Sequence, residues 1–156
     1  MIRVPPPLVA VAAALAQRAL TGATAKPTAG RAGLATVVGV ASMSLAGAAA
    51  SQFRRRGTTV DPIHPDNVSV LVTTGPNSIS RNPMYVGMAG LLTANALRRG
   101  SWAALVPVAG FVVIIDRFQI DVEESALLEK FGTEYESYRS ASPRWIGPRS
   151  LDYAKP

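Results

Sequence analysis

The residues best suited to chemistry lie around an Arg-Asn-Pro step, where Arg81, Asn82 and Pro83 precede an apolar stretch. Asn at a helix start accepts hydrogen bonds from free backbone N–H groups, and proline at the first helical position sacrifices none. The start of a helix carries partial positive charge, and the forked donors of Arg81 suit a carboxylate or a phosphate. This junction is therefore a candidate anion site.

Carboxylates gather further along the chain. Glu123 and Glu124 are adjacent, so on a helix they point about 100° apart and only one can face a given cavity squarely. The spacing of Arg117, Asp121 and Glu124 places all three on one face of a regular helix. Cations and carboxylates that converge in this way suit a zwitterion with a positive centre. A solvated helix ladder is the simpler alternative for Arg117 and Asp121.

The composition excludes several other kinds of site. The 156-residue chain has no cysteine and a single histidine, His64, so thiolate chemistry and multi-histidine metal sites are excluded, and we predict no metal. The net charge of +6 suits nucleic acid or an anionic membrane surface. Because no aromatic and basic interleaving indicates a base-stacking platform, we expect a membrane partner and no nucleic acid.

Four apolar blocks must position these residues, and they predict an all-α integral membrane bundle of about four helices. The strongest block, Ala32 to Ala50, has no charged residue and is long enough to cross a hydrocarbon core of about 30 Å. Its small residues, among them Gly39, Ser42 and Gly47, would permit close approach of a neighbouring helix. A buried helix of a soluble protein is the alternative.

The first block, Leu8 to Leu20, is shorter and is interrupted by polar residues. It is either a retained helix or a signal peptide that is cleaved near Ala23, Thr24 and Ala25. We favour a retained helix, because prolines precede the apolar run and Arg18 lies between it and the candidate cleavage site.

The third and fourth blocks, Met84 to Leu97 and Trp102 to Ile115, are joined by a short polar connection. Its residues predict an antiparallel hairpin, in which Gly100 ends one helix and Ser101 caps the next. Beyond Ile115 the pattern becomes amphipathic and continues to Gly132, which predicts a helix that leaves the membrane.

We expect one membrane domain over residues 1–156: two N-terminal helices in 1–52, a cytoplasmic loop in 53–83, and the hairpin with a C-terminal segment in 84–146. Lys and Arg are more frequent in the segments that this layout puts on the side of both termini. Since cytoplasmic loops gather these residues, a multi-pass protein with both termini and the candidate site in the cytoplasm is expected.

The order of the motifs resembles the isoprenylcysteine carboxyl methyltransferase and phospholipid methyltransferase superfamily. The resemblance covers the C-terminal two thirds of the chain, from Phe53 to Ile146, and the first two apolar blocks match nothing in particular. The motifs that carry it are Gly75-Pro76, then SRNPMYVG from Ser80 to Gly87, the apolar hairpin, Glu123 with Glu124, and the segment from Leu127 to Ile146.

This resemblance implies a site for S-adenosylmethionine at the cytoplasmic side of the hairpin. The cofactor-binding residues that it implies are Arg81, Asn82, Pro83, Tyr85, Gly87, Glu123 and Glu124. Asn82 stands where many relatives have histidine, so no imidazole is present there. Asn77 stands where an aromatic residue is common in the family. Candidate substrate contacts are Arg117, Tyr135 and Tyr138, although a lid over the site is favoured for the two tyrosines.

The expected activity is methyl transfer from S-adenosylmethionine to an oxygen, nitrogen or sulfur of a lipophilic or membrane-embedded acceptor. Two alternatives stay open: an NAD(P)H-dependent membrane reductase of related fold, and a noncatalytic membrane scaffold. The sulfonium already activates the methyl group, so the protein mainly has to align the reactants and exclude water. No catalytic residue or general base is assigned.

Overall fold

The computed structural model describes residues 5–22, 27–57 and 69–150, and all regular structure in these ranges is helical. The all-α prediction is confirmed. A 3₁₀ turn at Trp102–Ala104 and a π-helical segment at Ile115–Ile120 occur alongside the α-helices. His64 and the candidate cleavage site at Ala23, Thr24 and Ala25 lie outside the described residues. The helices are α1 (Pro6–Thr21), α2 (Ala29–Arg55), α3 (Pro76–Ile79), α4 (Pro83–Arg99), α5 (Leu105–Ile114), α6 (Asp121–Phe131) and α7 (Thr133–Ala141).

Two helical stretches are long and apolar enough to cross a membrane, Ala29–Arg55 and Trp102–Phe131. The first contains the predicted span and continues to Arg55, so the loop that was expected to begin at residue 53 starts later. Helices α1 and α4 have 16 and 17 residues. At about 1.5 Å per residue, each is shorter than a hydrocarbon core of about 30 Å. Length and composition thus support two spans.

Helices α2 and α4 pack closely and antiparallel, and small residues set their separation. Gly87 lies against Ala46, and Gly90 lies against the side chain of Ser42. A Cβ on Gly87 would stand 2.7 Å from the Ala46 Cβ and 2.8 Å from the Ser42 carbonyl oxygen, closer than real Cβ contacts. The expectation that small residues of α2 admit a close neighbour is therefore met.

Substitution of Gly87 by alanine should loosen this helix pair. We expect Gly87→Ala to lower the free energy of unfolding by about 1–3 kcal/mol, because overpacking forces the backbones apart. Gly47→Ala is the matched control, since a Cβ on this glycine of α2 meets nothing within 4 Å. The control should be neutral or slightly stabilising, because alanine is the better helix former. Reversible unfolding in detergent measures both, and equal losses would contradict the packing argument.

In the connection between α4 and α5, Gly100 acts as predicted, whereas Ser101 does not. Gly100 has a φ of 63°, and its N–H bonds to the carbonyl oxygens of Ala96 and Leu97. The left-handed conformation suits glycine and ends the helix. Ser101 makes no side-chain cap bond, because the chain continues into the 3₁₀ turn Trp102–Ala104 before α5 begins. The predicted serine cap is therefore wrong.

Helix α1 is fastened to the hairpin by Gln17, which is fully buried. Its Nε2 donates to the carbonyl oxygens of Leu92 and Ala104, each at 2.9 Å. Asn95 Nδ2 donates to Gln17 Oε1 at 2.7 Å. Because a buried amide is stable only when its hydrogen bonds are made, these contacts fix the position of α1 along α4. The helix is part of the bundle.

Candidate functional site

The centre of the candidate site is a contact between the start of α4 and the first turn of α6. Arg81 Nε and Nη2 donate to Glu124 Oε1 at 3.1 and 2.7 Å. The two side chains are only 9% and 11% exposed. The chain therefore brings together the arginine and the acidic pair that lie far apart in the sequence, as the antiparallel hairpin predicts.

A second arginine, Arg144, holds the other side of Glu124. Arg144 Nη2 donates to Glu124 Oε2 at 2.6 Å, and its Nη1 lies 2.8 Å from Asp121 Oδ1. The same Nη1 donates to Asp116 Oδ2 at 3.3 Å, and Trp145 Nε1 donates to Asp116 Oδ1 at 2.8 Å. Burial lowers the pKa of Arg144, but its bonds to Glu124 and the other carboxylates outweigh burial and raise that pKa above its ordinary value.

Helix α4 begins at the Asn82-Pro83 step, as predicted, but the asparagine side chain does not have the predicted role. Pro83 is the first helical residue, but the Asn82 side chain makes no cap bond. Its Nδ2 instead donates to the Arg144 carbonyl oxygen at 3.0 Å. Ser80 Oγ donates to the same oxygen at 2.9 Å and accepts from the Asn82 N–H at 3.0 Å. The predicted capping role is wrong, because the returning C-terminal segment offers Asn82 a better acceptor.

Tyr85 and Glu123 form a second contact between α4 and the helical run that ends in α6. The Tyr85 hydroxyl donates to Glu123 Oε1 at 2.6 Å, and Gln119 Nε2 donates to the same oxygen at 2.7 Å. Tyr85 is buried and Glu123 is half-buried. The adjacent glutamates thus diverge as expected, one toward Arg81 and the other toward Tyr85. Both glutamate side chains nevertheless contact residues at the start of α4.

Arg117 does not join this group. Its side chain is 73% exposed, and its ion pair is with Asp116 at 3.8 Å. The predicted shared face with Glu124 assumed a regular α-helix between them. Residues Ile115–Ile120 are instead π-helical, and their i→i+5 hydrogen bonds place more residues in a turn. The helix face before this segment is therefore rotated relative to α6. Arg144, rather than Arg117, is the arginine that lies beside Asp121 and Glu124.

Gly87 also lies apart from the contacts of Tyr85. Two residues along an α-helix point about 200° apart, so Tyr85 and Gly87 occupy opposite sides of α4. Gly87 is pressed against Ser42 and Ala46 of α2. The structure assigns this glycine to helix packing, and contact with a cofactor stays a prediction.

The C-terminal segment folds back over the site. Tyr135 is buried, and the Tyr138 hydroxyl donates to the Asn77 carbonyl oxygen at 2.7 Å. The two rings meet edge to face with centroids 6.2 Å apart. Arg81 Nη1 donates to the carbonyl oxygens of Arg139, at 3.0 Å, and of Ser142. Arg81 thus clamps the chain after α7 onto the start of α4.

The environment of Tyr135 predicts a pH dependence of stability. Burial and then the charge of Glu124 raise the pKa of this phenol from 10.0 to about 12. In the unfolded chain the phenol loses its proton near the ordinary value, so this contribution to stability is complete below about pH 10 and lost as the pH rises to about 12.

Tyr135→Phe removes the ionisable group and should flatten this alkaline loss. We expect the melting temperatures of wild type and Tyr135→Phe in detergent to differ by a constant amount up to about pH 10. Above that pH the wild type should fall more steeply. Parallel curves up to pH 12 would contradict the shifted pKa.

The site as a whole carries more carboxylates than guanidinium groups. Asp116, Asp121 and Glu124 contact Arg144, and Glu124 also contacts Arg81. Glu123 is bonded to Tyr85 nearby, and Arg117 pairs only loosely with Asp116. Such a surplus of negative charge favours a ligand with a positive centre. Among the residues that the structure describes, no group of three or more His, Cys, Asp or Glu side chains could hold a metal ion.

Sequence reasoning missed Arg144, Trp145, Asp116 and Gln119. The one sign in the sequence was charge. The acidic residues between Asp116 and Glu124 outnumber Arg81 and Arg117, which indicates that a further cation completes the site. Arg144 follows the site in sequence by a helix and a turn, so no helical spacing connects it with Asp116. Only the return of the chain along the start of α4, where the Arg81 N–H donates to the Pro143 carbonyl oxygen at 2.8 Å, brings it there.

The family model for phospholipid methyltransferases matches residues 31–134. An uncharacterised protein of Haemophilus influenzae is 38% identical over 63 residues, which are 40% of this chain and 100% of that protein. No solved structure matches.

The region that the family model matches has different limits from the resemblance that the motifs indicated. It includes nearly all of α2, so the interpretation that the first two apolar blocks match nothing is wrong for the second block. It ends before Tyr135, so this tyrosine and Arg144 lie beyond it. The match covers more than half of the chain and contains Arg81, Tyr85 and both glutamates, and the chain therefore belongs to the phospholipid methyltransferase family.

Proposed function

We propose that this protein transfers the methyl group of S-adenosylmethionine to an oxygen, nitrogen or sulfur of a lipophilic acceptor in the membrane. Membership of the family supports methyl transfer as the reaction. One observation carries the proposal further: the adjacent glutamates of a membrane-length helix bind the Tyr85 and Arg81 side chains at the start of α4.

The donor set fits a sulfonium cofactor. S-adenosylmethionine carries two positive centres and one carboxylate, and the candidate site has a surplus of carboxylates. Glu123 is the half-buried member of the pair and is held in place by Tyr85 and Gln119. Its carboxylate would accept hydrogen bonds from the cofactor. Glu124 and Arg81 are satisfied by each other and by the C-terminal segment, so they would form the wall of the pocket.

Asn82, Pro83 and Gly87 are the other residues of the predicted cofactor-binding set, and they would hold the helices of the site in place. Asn82 and Pro83 fix the start of α4 against the Arg144 backbone. Gly87 brings α4 close to α2. A rigid scaffold of this kind keeps a site within the narrow tolerance that alignment of two reactants demands.

When bound, S-adenosylmethionine supplies a methyl carbon on a positive sulfur, and the methyl–acceptor bond forms as the carbon–sulfur bond breaks to leave S-adenosylhomocysteine. The protein has to orient this group and exclude water. Helix α7 and the segment after it cover the site through Tyr135, Tyr138 and the contacts of Arg81. No general base is assigned, because a carboxylate acceptor would need none.

The membrane placement is part of the proposal. All four of α1, α2, α4 and the run Trp102–Phe131 would cross the bilayer, with shorter helices extended at their polar ends. The site, Arg54, Arg55 and both termini would lie in the cytoplasm, because cytoplasmic segments gather Lys and Arg. The acceptor would enter sideways from the lipid, with its polar group meeting the cofactor at the membrane surface.

Thermal unfolding of the detergent-purified protein tests the cofactor. We expect S-adenosylhomocysteine to raise the melting temperature by several degrees at concentrations well above its Kd, and NADPH to leave it unchanged. Incubation with a membrane lipid extract and cofactor labelled in its methyl group should then transfer label to a lipid. Stabilisation by NADPH alone would indicate a reductase, and stabilisation by neither would indicate a scaffold; both results would overturn the proposal.

A further inference from the structure

A groove between α1 and α4 extends away from the candidate site. This open groove has a volume of about 440 Å³, within the range of small-molecule pockets. Tyr85, of the candidate site, is in the first turn of α4, whereas the groove continues to Arg99 at the end of that helix, about 20 Å further along the axis. The groove begins at Met88, one turn after Tyr85, and its arginine end therefore lies toward the end of the bundle opposite to the candidate site.

The groove is apolar along its length and cationic at one end. Ala10, Ala14, Met88 and Leu92 form its walls, and Arg18 and Arg99 lie at the end away from the candidate site. Val11 of α1, also in its lining, is 56% exposed. In a membrane this opening would face the acyl chains of lipids, and the arginines would stand near the level of the headgroups.

Among the residues that the structure describes, the helices around the arginine end offer no acidic side chain to balance it. Helices α1, α2, α4 and α5 contain no Asp or Glu. Arg31, at the start of α2, also reaches this end, because its guanidinium lies beside Gly100. Cations gathered without carboxylates attract anions, and basic pockets between transmembrane helices are typical sites of anionic headgroups.

Arg99 is positioned and only partly satisfied. Its Nη1 donates to Thr21 Oγ1 at 2.9 Å and to the Gly22 carbonyl oxygen at 3.2 Å. Its Nε is buried and, within the described part of the chain, has no hydrogen-bond partner. Gln17 and Asn95 hold α1 and α4 at a fixed separation beside it. The arginine is thus held at the mouth of a rigid groove.

We propose that this groove binds an anionic phospholipid, with one acyl chain along Ala14, Met88 and Leu92 and the phosphate between Arg18 and Arg99. Met88 and Arg99 are about 17 Å apart along α4, which gives room for much of an acyl chain. The bound headgroup lies at the membrane face opposite to Glu123 and Arg81. This lipid is therefore distinct from the methyl acceptor and fastens α1 to the bundle. The inference rests on the membrane placement proposed above, but it does not depend on methyl transfer or on the cofactor.

Thermal unfolding of the full chain in detergent, after removal of co-purified lipid, tests the site. Phosphatidylglycerol should raise the melting temperature by about 4 °C or more, and phosphatidylcholine with the same acyl chains should raise it much less. Arg18→Gln should lose at least half of the phosphatidylglycerol shift. Arg18 is exposed and suits this test, because its replacement should leave the fold intact.

Two further variants make the test decisive. Val11→Trp fills the groove from its exposed edge and should abolish the shift without lowering the melting temperature of the lipid-free protein. Arg54→Gln, an exposed arginine in the last turn of α2, should retain the full shift. Equal shifts with both lipids, equal losses in Arg18→Gln and Arg54→Gln, or a full shift with inorganic phosphate alone would overturn the proposal.

Discussion

Replacement of Glu124 by glutamine should lower the free energy of unfolding by about 3 kcal/mol or more, because loss of one partner leaves buried charge uncompensated. Glu124 bridges two arginines, with contacts of 2.7 Å to Arg81 and 2.6 Å to Arg144. Arg81 in turn holds the carbonyl oxygens of Arg139 and Ser142. The loss should therefore release the C-terminal segment as well as the ion pair.

Glu129→Gln is the matched control for this prediction. Glu129 lies on the same helix and is exposed, so its replacement should change stability by no more than about 0.5 kcal/mol. Arg81→Lys should fall between the two, because lysine keeps the charge but lacks the fork that places Nε and Nη2 on one oxygen. Reversible unfolding in detergent measures all three variants. A Glu124→Gln protein as stable as the Glu129→Gln protein would refute the bridging role.

The second prediction concerns binding rather than stability. Glu123→Gln should weaken binding of S-adenosylhomocysteine by about 10- to 100-fold, because a hydrogen bond to a charged group contributes about 1.5–3 kcal/mol. Glu123 is half-buried and is aligned by Tyr85 at 2.6 Å. Tyr85→Phe should weaken binding less, because the carboxylate remains while one of its positioning donors is lost.

Isothermal titration of the purified variants separates this effect from misfolding. The melting temperature of ligand-free Glu123→Gln should stay close to that of the wild type, in contrast to Glu124→Gln. Glu129→Gln again serves as the control and should bind with unchanged affinity. If Glu123→Gln and Glu129→Gln bind equally well, Glu123 does not contact the cofactor and the assignment of this carboxylate fails.

The two glutamates therefore have separable parts in the same site. Their side chains leave the helix in different directions, as the helical geometry of adjacent residues requires. Glu124 secures the chain that returns over the site, and Glu123 is the carboxylate that we expect to meet the ligand. Measurements of stability for one and of affinity for the other distinguish these parts without knowledge of the methyl acceptor.

Much of the architecture was readable from local patterns. The uncharged run from Ala32 to Ala50 lies within α2, and Gly100 ends α4 in the left-handed conformation. Both follow from local physics: apolar residues in a row favour a long helix, and glycine alone adopts positive φ without strain. The pairing of Arg81 with Glu124 also followed, because an antiparallel hairpin brings the entrance of one helix beside the exit of the next.

The sequence by itself thus determined the helical class, the family and the chemical types that meet at the site. Only the tertiary structure decided which cation completes it. The π-helical segment Ile115–Ile120 turns Arg117 outward, and the returning chain supplies Arg144 instead. Helical periodicity describes neighbours within one regular element, and it carries no information across a change of helix type or across a reversal of the chain. Packing and hydrogen bonding between distant segments settle those positions.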